Sequence, residues 1–218
     1  MKLLWLDFET TGLDPERDAI LEIGIVEADF LDPFTALSRY SVALHYSKQG
    51  EYELRQMVGV SPPHMVAASK GDGYGQLVTC MTHHANGYMS DVVYKMHKES
   101  GLWDECDRSI HLLWQVENYL VSKYGEFMLL PEDEKPILAG SSVHFDHSFI
   151  KRHMPKFNEV LSYRHYDTRT IQLFCRSLGM PKIPKKLAHR ALDDIDEAMS
   201  CGRECVAWLT KQQFTGVE

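Results

Sequence analysis

Two acidic residues near the start of the chain have the type and spacing of a metal site. Asp7 and Glu9 lie two residues apart, where the apolar run KLLWLDF meets the polar turn ETTGLDP. If this run is a strand, both carboxylates face the same side of its sheet. Neighbouring carboxylates repel each other unless water, a basic partner or a metal ion compensates them. A DxE pair alone is common at strand ends, but DFETTGLD is more specific, because its tight glycine turn admits the backbone of a ligand.

Three further residues could complete such a site. Asp146 follows the short apolar run ILAGSS, and His189 and Asp194 lie five residues apart in HRALDD, with Asp193 as the competing carboxylate. Four carboxylates could hold two Mg²⁺ or Mn²⁺ ions through hard oxygen ligands. Such a pair of ions stabilises the attacking and the leaving oxygens of a phosphodiester. A histidine beside the ions can take a proton from the attacking water near neutral pH.

Secondary-structure patterns place these residues on a mixed α/β sheet covered by helices. Strands are predicted over residues 2–8, 19–30, 38–46, 137–142 and 163–167, and helices over 107–124, 147–154, 168–178 and from about 189 onward. Three early strands followed by alternating helices and strands are typical of this fold class. Residues 48–88 are less regular, and we expect them to form an insertion within one domain that spans residues 1–218.

Composition places the chain among soluble globular proteins of the cytoplasm. No apolar run approaches the roughly 20 residues that span a bilayer, so no membrane is expected. The N-terminal residues lack the small-residue cleavage site of a secretory signal. Five cysteines, an odd number without a CxxC pair, favour a reducing compartment. Cys201 and Cys205 with His189 could suggest zinc, but no fourth ligand is apparent, and buried thiols are the preferred interpretation.

The net charge of −8 is unevenly distributed along the chain. The segment from Lys151 to Arg190 contains ten basic and two acidic residues, so it carries +8 while the remainder carries −16. A basic region of this kind can hold a few phosphates without the long footprint that binds duplex DNA. A solvated surface that only balances charge explains the same pattern equally well.

With these motifs the chain resembles the DEDDh 3′–5′ exonucleases of the RNase H-like superfamily. Asp7 and Glu9 with TTGLD resemble the first motif of that family, Asp146 the second, and the stretch from His189 to Asp194 the third. The resemblance implies an RNase H-like, mixed five-stranded sheet flanked by helices. It also implies two metal ions held by the four carboxylates, with His189 as the general base.

Within that family the resemblance is strongest to the oligoribonucleases, and it covers most of the chain outside residues 48–88. The similar segments are LEIGIVEAD, MHKESGL, GSSVHFD, YRHYDTRT and HRALDDIDEAM. The resemblance implies a short single-stranded RNA substrate, with DNA as the alternative. Candidate substrate contacts are Thr10 and Gly12 in the turn after the first strand and, through the resemblance, Leu13, His97, Ser142, Tyr163 and Arg164.

Several positions depart from the oligoribonuclease pattern. Ser141 stands where asparagine is usual, His144 and Phe145 replace Gly-Gln, Arg169 replaces a phosphate-capping serine, and Val92 stands where an aromatic ring stacks on a base. Tyr94 or Trp103 could supply that ring, although a place in the core suits both of them better.

The resemblance also implies a homodimer in which Tyr163 of one subunit completes the site of the other. Tyr163 and Arg164 are neighbours in a predicted strand, so their side chains are expected on opposite faces. One of them could then face the local site while the other faces the partner.

Two other functions stay open at this level. A broader DEDDh nuclease would trim the 3′ ends of DNA or longer RNA, or proofread for a polymerase. A catalytically silent nucleic-acid-binding protein could share the same fold. The presence of all four carboxylates and the histidine argues against a catalytically silent protein. The overall negative charge argues against tight binding to long nucleic acids.

Overall fold

The computed structural model describes residues 1–45, 90–184 and 189–214. Within these residues, five strands form one sheet in the order β3–β2–β1–β4–β5. The strands are β1 (Lys2–Thr10), β2 (Ile20–Asp29), β3 (Asp32–Ala43), β4 (Ile137–Gly140) and β5 (His165–Asp167). The first three pair antiparallel, whereas β4 pairs parallel with β1 and β5 parallel with β4. The predicted mixed five-stranded sheet is therefore confirmed.

Helices connect the strands and cover both faces of the sheet. The helices are α1 (Asp91–Glu99), α2 (Leu102–Arg108), α3 (Leu113–Tyr124), α4 (His144–His153), α5 (Pro155–Asn158), α6 (Thr168–Ser177) and α7 (Ala191–Phe214). The single helix predicted over 107–124 is wrong at its start, because residues 109–112 bond to the end of β3 instead. The Ser109 hydroxyl donates to Ala43 O at 2.6 Å, and His45 N–H donates to His111 O at 2.7 Å.

Alternation along β1 divides its side chains between two cores. Leu4, Leu6 and Phe8 pack with residues of α3 and α4 on one face. Leu3 and Trp5 pack with residues of α7 on the other face. Successive strand side chains point to opposite faces, so Asp7 and Glu9 continue the second set. Both carboxylates therefore lie on the face that α7 covers.

A glycine in β2 allows the first turn of α7 to approach the sheet. Gly24 lies opposite Asp7 in the register between β1 and β2. A Cβ atom at Gly24 would lie 2.8 Å from the Cβ of Ala191, which is too close for any other residue without a shift of the helix. Asp194 lies in the same first turn. Because Gly24 has no side chain, the first turn of α7 can lie close enough to the sheet for Asp194 to reach β1.

The cysteines of the described regions agree with the buried-thiol interpretation. Cys175 and Cys205 are buried in an apolar cluster with Met180, and Cys201 packs against it. These three and Cys106 are free thiols. The predicted insertion over 48–88, which includes Cys80, lies outside the described residues. In the parts of the chain that are described, no helix has the length and apolar character needed to cross a membrane.

Candidate metal centre and catalytic site

Three carboxylates converge at the end of β1. Asp7 and Glu9 are carried by β1 itself, and Asp194 is carried by the first turn of α7. One oxygen atom from each of the three lies within 4.8 Å of the other two. Glu9 is buried, while Asp7 and Asp194 are half-buried. This geometry fits a divalent cation, because hard cations bind carboxylate oxygens that converge on one point.

Asp146 adds a fourth carboxylate beside Asp7. It lies in the first turn of α4 and is 4% exposed. Its Oδ1 accepts a 3.0 Å hydrogen bond from the backbone N–H of Phe8. This donor is available because β4 pairs with β1 only as far as Trp5. The early end of β4 thus leaves a backbone N–H that fixes an acidic side chain at the site.

Burial and mutual repulsion raise the pKa values of the carboxyl groups. Burial is the largest cause at Asp7, followed by the charges of Asp146, Glu9 and Asp194, and together they raise its pKa well above the ordinary value. Burial raises the pKa of Asp146 to about 7, although the hydrogen bond from Phe8 acts in the opposite direction. A cluster of this kind becomes fully ionised when cations neutralise it, which is a second reason that these residues fit metal ions.

Burial and neighbouring negative charges also raise the pKa of Glu9. Its burial is the main cause that raises its pKa to about 8, and the charges of Asp194 and Glu22 raise it further. Arg190 lowers the pKa but does not cancel these effects. The balance of these effects leaves the cluster acidic, which favours the binding of cations.

The phase of α7 decides between the two adjacent aspartates of HRALDD. Asp194 belongs to the group of three carboxylates. Asp193 is exposed and lines a separate recess with Glu105 and Arg190. The structure therefore brings Asp194, and not Asp193, to Asp7.

His189 lies on the segment that enters α7, where its backbone is left-handed with a φ of 53°. This conformation is uncommon for a residue other than glycine, so neighbouring contacts must hold it. The next residue, Arg190, donates from Nε and Nη2 to Glu22 at 3.0 Å each, and from Nη1 to Glu105 at 3.0 Å. Ala191 N–H also donates to Glu22, at 3.1 Å. These bonds tie the backbone after His189 to β2 and α2.

His97 is fully buried beside Glu9. Its Nε2 lies 2.8 Å from the Thr10 carbonyl oxygen, and its Nδ1 lies 3.7 Å from Glu9 Oε2. Burial is the largest cause that lowers the pKa of His97, so the ring is neutral and Nε2–H donates to Thr10. Trp103 packs edge-on against it, with 6.0 Å between ring centroids. The predicted substrate contact at His97 thus lies behind the site, where it supports the strand that carries Glu9.

Hydrogen bonds within the turn after β1 hold it in a shape that exposes Leu13 at the surface. Leu13 is 81% exposed. The Asp18 carboxylate accepts from Asp14 N–H at 2.8 Å and from the Thr11 hydroxyl at 3.3 Å. A Cβ atom at Gly12 would collide with that carboxylate. Only glycine therefore fits in the closed turn that presents the leucine. The Thr10 hydroxyl donates to Gly12 O at 2.7 Å and closes the turn from the strand side.

Asp167 fixes the loop that carries Ser142. Its carboxylate accepts from the backbone N–H groups of Ser142 and Val143 at 3.2 Å each. It also caps α6 by accepting from Arg169 N–H at 2.8 Å. Ser142 takes a left-handed conformation with a φ of 63°. Held in this way, Ser142 lines the same recess as Asp7.

Tyr163 and Arg164 precede β5 and do not belong to it. The strand begins at His165, and the Arg164 guanidinium lies 4.7 Å from the centroid of the Tyr163 ring. The expectation that the two side chains point to opposite faces is therefore wrong, because that alternation requires an extended strand. Tyr163 is 68% exposed, so a neighbouring molecule can reach it.

The two candidate stacking rings lie side by side. Trp103 is buried in a cluster with Leu21 and Leu102, and its Nε1 donates to Tyr94 O at 3.0 Å. Tyr94 is half-buried, with 5.7 Å between its ring centroid and that of Trp103. Trp103 is therefore a core residue, and Val92 is 76% exposed.

Four residues that position the site are not predicted by the sequence patterns. Glu22 and Arg190 hold the entry to α7, Asp167 holds the Ser142 loop, and Asp18 holds the turn at Gly12. A signal existed for two of them. Glu22 interrupts an apolar strand pattern, and Arg190 lies inside the third motif. A charged residue in a buried strand needs a partner of opposite charge. Arg190, in the third motif, is a basic residue that can serve as the partner of Glu22.

Several known nucleases have sequences similar to that of this chain. The profile of the exonuclease family matches residues 4–40 and 65–201. An oligoribonuclease from Mycobacterium ulcerans is 31% identical over 204 residues, which cover 91% of this chain and 76% of the relative. The mitochondrial oligoribonuclease of Mus musculus is 30% identical over 207 residues, covering 91% and 69%. The chain therefore belongs to the exonuclease family, and within it to the oligoribonucleases.

The fold is also that of a solved exonuclease structure. Escherichia coli exonuclease I, in a zinc-bound complex with single-stranded DNA, is similar with a TM-score of 0.50 and 13% identity. The similarity covers 97% of this chain, which spans only 40% of that protein's length. This match confirms the RNase H-like fold class.

We predict that the substitution Arg190→Ala lowers the free energy of unfolding by about 3 kcal/mol, because it leaves the Glu22 carboxylate buried without its charged partner. The matched control is Arg39→Ala. Arg39 pairs with Asp196 at 2.7 Å, but both side chains are nearly half exposed, so its loss should cost less than about 1 kcal/mol. Urea denaturation measures both values. Equal losses for the two variants would contradict the conclusion that Arg190 stabilises the fold through its buried contact with Glu22.

Proposed function

We propose that the protein is a metal-dependent 3′–5′ exoribonuclease that degrades short single-stranded oligoribonucleotides to mononucleotides. The observation that carries this proposal is the set of four carboxylates that converge from β1, α4 and α7, where burial and mutual repulsion favour bound cations. The oligoribonuclease relatives support RNA as the substrate. One exonuclease domain, spanning residues 1–218, performs the reaction in the cytoplasm.

The four carboxylates would hold two Mg²⁺ or Mn²⁺ ions. Bound there, such ions stabilise the charge that develops on the attacking and leaving oxygens of the phosphodiester. His189 takes the proton from the attacking water as the general base. Arg190 and Glu22 hold the backbone beside His189, so the imidazole is positioned before the substrate arrives.

The substrate contacts follow from the surfaces around the carboxylates. The exposed side chain of Leu13 wedges against a base, while the turn at Thr10 and Gly12 admits the sugar–phosphate backbone. Ser142 and Arg164 bind phosphate. His97 acts from behind the site, since its contact with Thr10 supports that turn.

A second copy of the chain completes the site. Tyr163 is exposed, and so is an apolar patch on and directly after α6, formed by Leu173 (52%), Phe174 (57%) and Leu178 (56%). A contiguous apolar patch of this kind is typical of a contact between protein subunits. In the homodimer this patch faces the partner, and Tyr163 reaches into the partner's site.

Digestion of 5′-labelled RNA and DNA, from two to thirty nucleotides long, tests the proposed activity. We expect release of mononucleotides from short RNA in Mg²⁺ and no reaction in excess chelator. Asp194→Asn should lower the rate at least about 100-fold, because it removes a metal ligand. The neighbouring variant Asp193→Asn should keep the wild-type rate, since that residue lies in another recess. Hydrolysis in chelator, or faster cleavage of the longest strands, would contradict the proposal.

Mixing two inactive variants tests the shared site. Asp7→Asn loses a metal ligand, and Tyr163→Ala loses the residue given to the partner. A mixed dimer carries both lesions in one site and neither in the other, so we expect activity to return in part. Subunit exchange is verified by mass spectrometry of differently labelled chains. Exchange without any recovery, or an active monomer, would disprove the arrangement.

A further inference from the structure

Three histidines lie close together where α4 meets β5. His144 and His147 belong to the first turn of α4, and His165 is the first residue of β5. The rings of His147 and His165 are nearly perpendicular, with 4.7 Å between their centroids. Asp146 contacts β1 through the backbone of Phe8, whereas the next residue, His147, contacts β5. The histidine cluster is therefore made of side chains that the candidate metal centre does not use.

Two ring nitrogens face each other in this cluster. His147 Nδ1 lies 2.8 Å from His165 Nε2, and His147 Nε2 lies 2.9 Å from Asn158 Oδ1. The Asn158 oxygen can only accept a hydrogen bond, so His147 Nε2 carries a proton, and in the neutral ring Nδ1 keeps a lone pair. A histidine that binds a metal typically donates its other N–H to an oxygen in this way, because the bond fixes the orientation of the ring.

The two rings combine a fixed ligand with access from solvent. His147 is 7% exposed, and its hydrogen bonds hold it in place. His165 is exposed, so an ion can reach the pair from the surface. Burial is the largest cause that lowers the pKa of His165, and the charges of Lys151 and His144 lower it further while that of Asp167 raises it. The His165 ring is therefore neutral near pH 7, and movement of its proton from Nε2 to Nδ1 frees a lone pair for a metal.

His144 can supply a third nitrogen. Residues three positions apart share one face of a helix, so His144 and His147 lie on the same side of α4. The charge of His144 acts on His165, so these two rings are also near each other. His144 is exposed, and exposed side chains change rotamer rapidly. A small movement of this side chain therefore completes a set of three imidazole ligands.

We propose that His144, His147 and His165 bind one Zn²⁺ ion, with water as the fourth ligand. Zn²⁺ binds imidazole nitrogens at about 2.0–2.1 Å in a tetrahedron, which places two ligand nitrogens about 3.3 Å apart. Since the nitrogens of His147 and His165 lie 2.8 Å apart, the rings have to separate by about 0.5 Å. Mg²⁺ and Mn²⁺ prefer oxygen ligands, so this site and the four carboxylates select different ions.

The bound ion links α4 to β5 and, through Asn158, to α5. Helix α4 also carries Asp146, and β5 ends at Asp167, which holds the loop of Ser142. An ion that binds the folded chain but not the unfolded chain stabilises the fold. Zn²⁺ therefore stabilises the packing of these three elements, and this effect does not depend on the proposed nuclease activity.

Calorimetric titration of Zn²⁺ tests the site, in excess Mg²⁺ that occupies the carboxylates. We expect one Zn²⁺ ion per chain in the wild type. His147→Gln and His165→Gln each remove a ligand and should weaken binding at least about 10-fold, and Asn158→Leu should also weaken it about 10-fold, as loss of a hydrogen-bond partner to a ligand does. The control is His111→Gln, an exposed histidine on the segment before α3, which should keep the wild-type affinity.

Co²⁺ serves as a spectroscopic probe of the ligands. A tetrahedral Co²⁺ ion with imidazole ligands absorbs visible light strongly, whereas an octahedral ion with oxygen ligands absorbs weakly. We expect the strong absorption in the wild type and its loss in His165→Gln, which should fold normally because the residue is exposed. Circular dichroism verifies that fold, and Zn²⁺ should raise the Tm of the wild type but not that of His165→Gln. Equal Zn²⁺ affinity in these two proteins, or no Zn²⁺ binding in excess Mg²⁺, overturns the site.

Discussion

Mutual repulsion among four carboxylates is the interaction on which the rest of the structure depends. Asp7, Glu9, Asp146 and Asp194 come from three separate elements, and they lie close enough for their charges to interact. Burial is the largest cause that raises the pKa values of Asp7 and Glu9, and the charges of Asp146 and Asp194 raise both of them further. The surrounding protein must therefore hold groups that would otherwise separate, and divalent cations would reverse the sign of their interaction.

Apolar packing and a few buried hydrogen bonds supply that restraint. The side chains from Leu3 to Leu6 in β1 are almost wholly buried between two cores, so the strand cannot move away from α7. Phe8 N–H fixes Asp146, and Arg190 fixes the entry to α7 through Glu22. The left-handed backbone at His189 lies directly before Arg190, whose hydrogen bonds to Glu22 hold it in place. Stabilising contacts outside the site thus offset the cost of a strained and repulsive centre.

Sequence patterns predict the parts of this arrangement that local rules determine. Alternation along KLLWLDFET places Asp7 and Glu9 on one face, and the strand order of the motifs predicts a mixed sheet. The contact between Arg190 and Glu22 joins residues 168 positions apart, and no local pattern specifies that pairing. The stacking of Arg164 on Tyr163 is also not predicted. The sequence pattern predicts a strand at these two residues, but the chain becomes extended only at His165.

We interpret the convergence of these carboxylates on one point as a site for divalent cations. Titration of Mn²⁺ into the wild-type protein, followed by electron paramagnetic resonance, measures this without any substrate. We expect two bound ions per chain, and we expect Asp7→Asn to lose tight binding while its circular dichroism spectrum stays that of the wild type. Equal Mn²⁺ affinity in the wild type and in folded Asp7→Asn would contradict it.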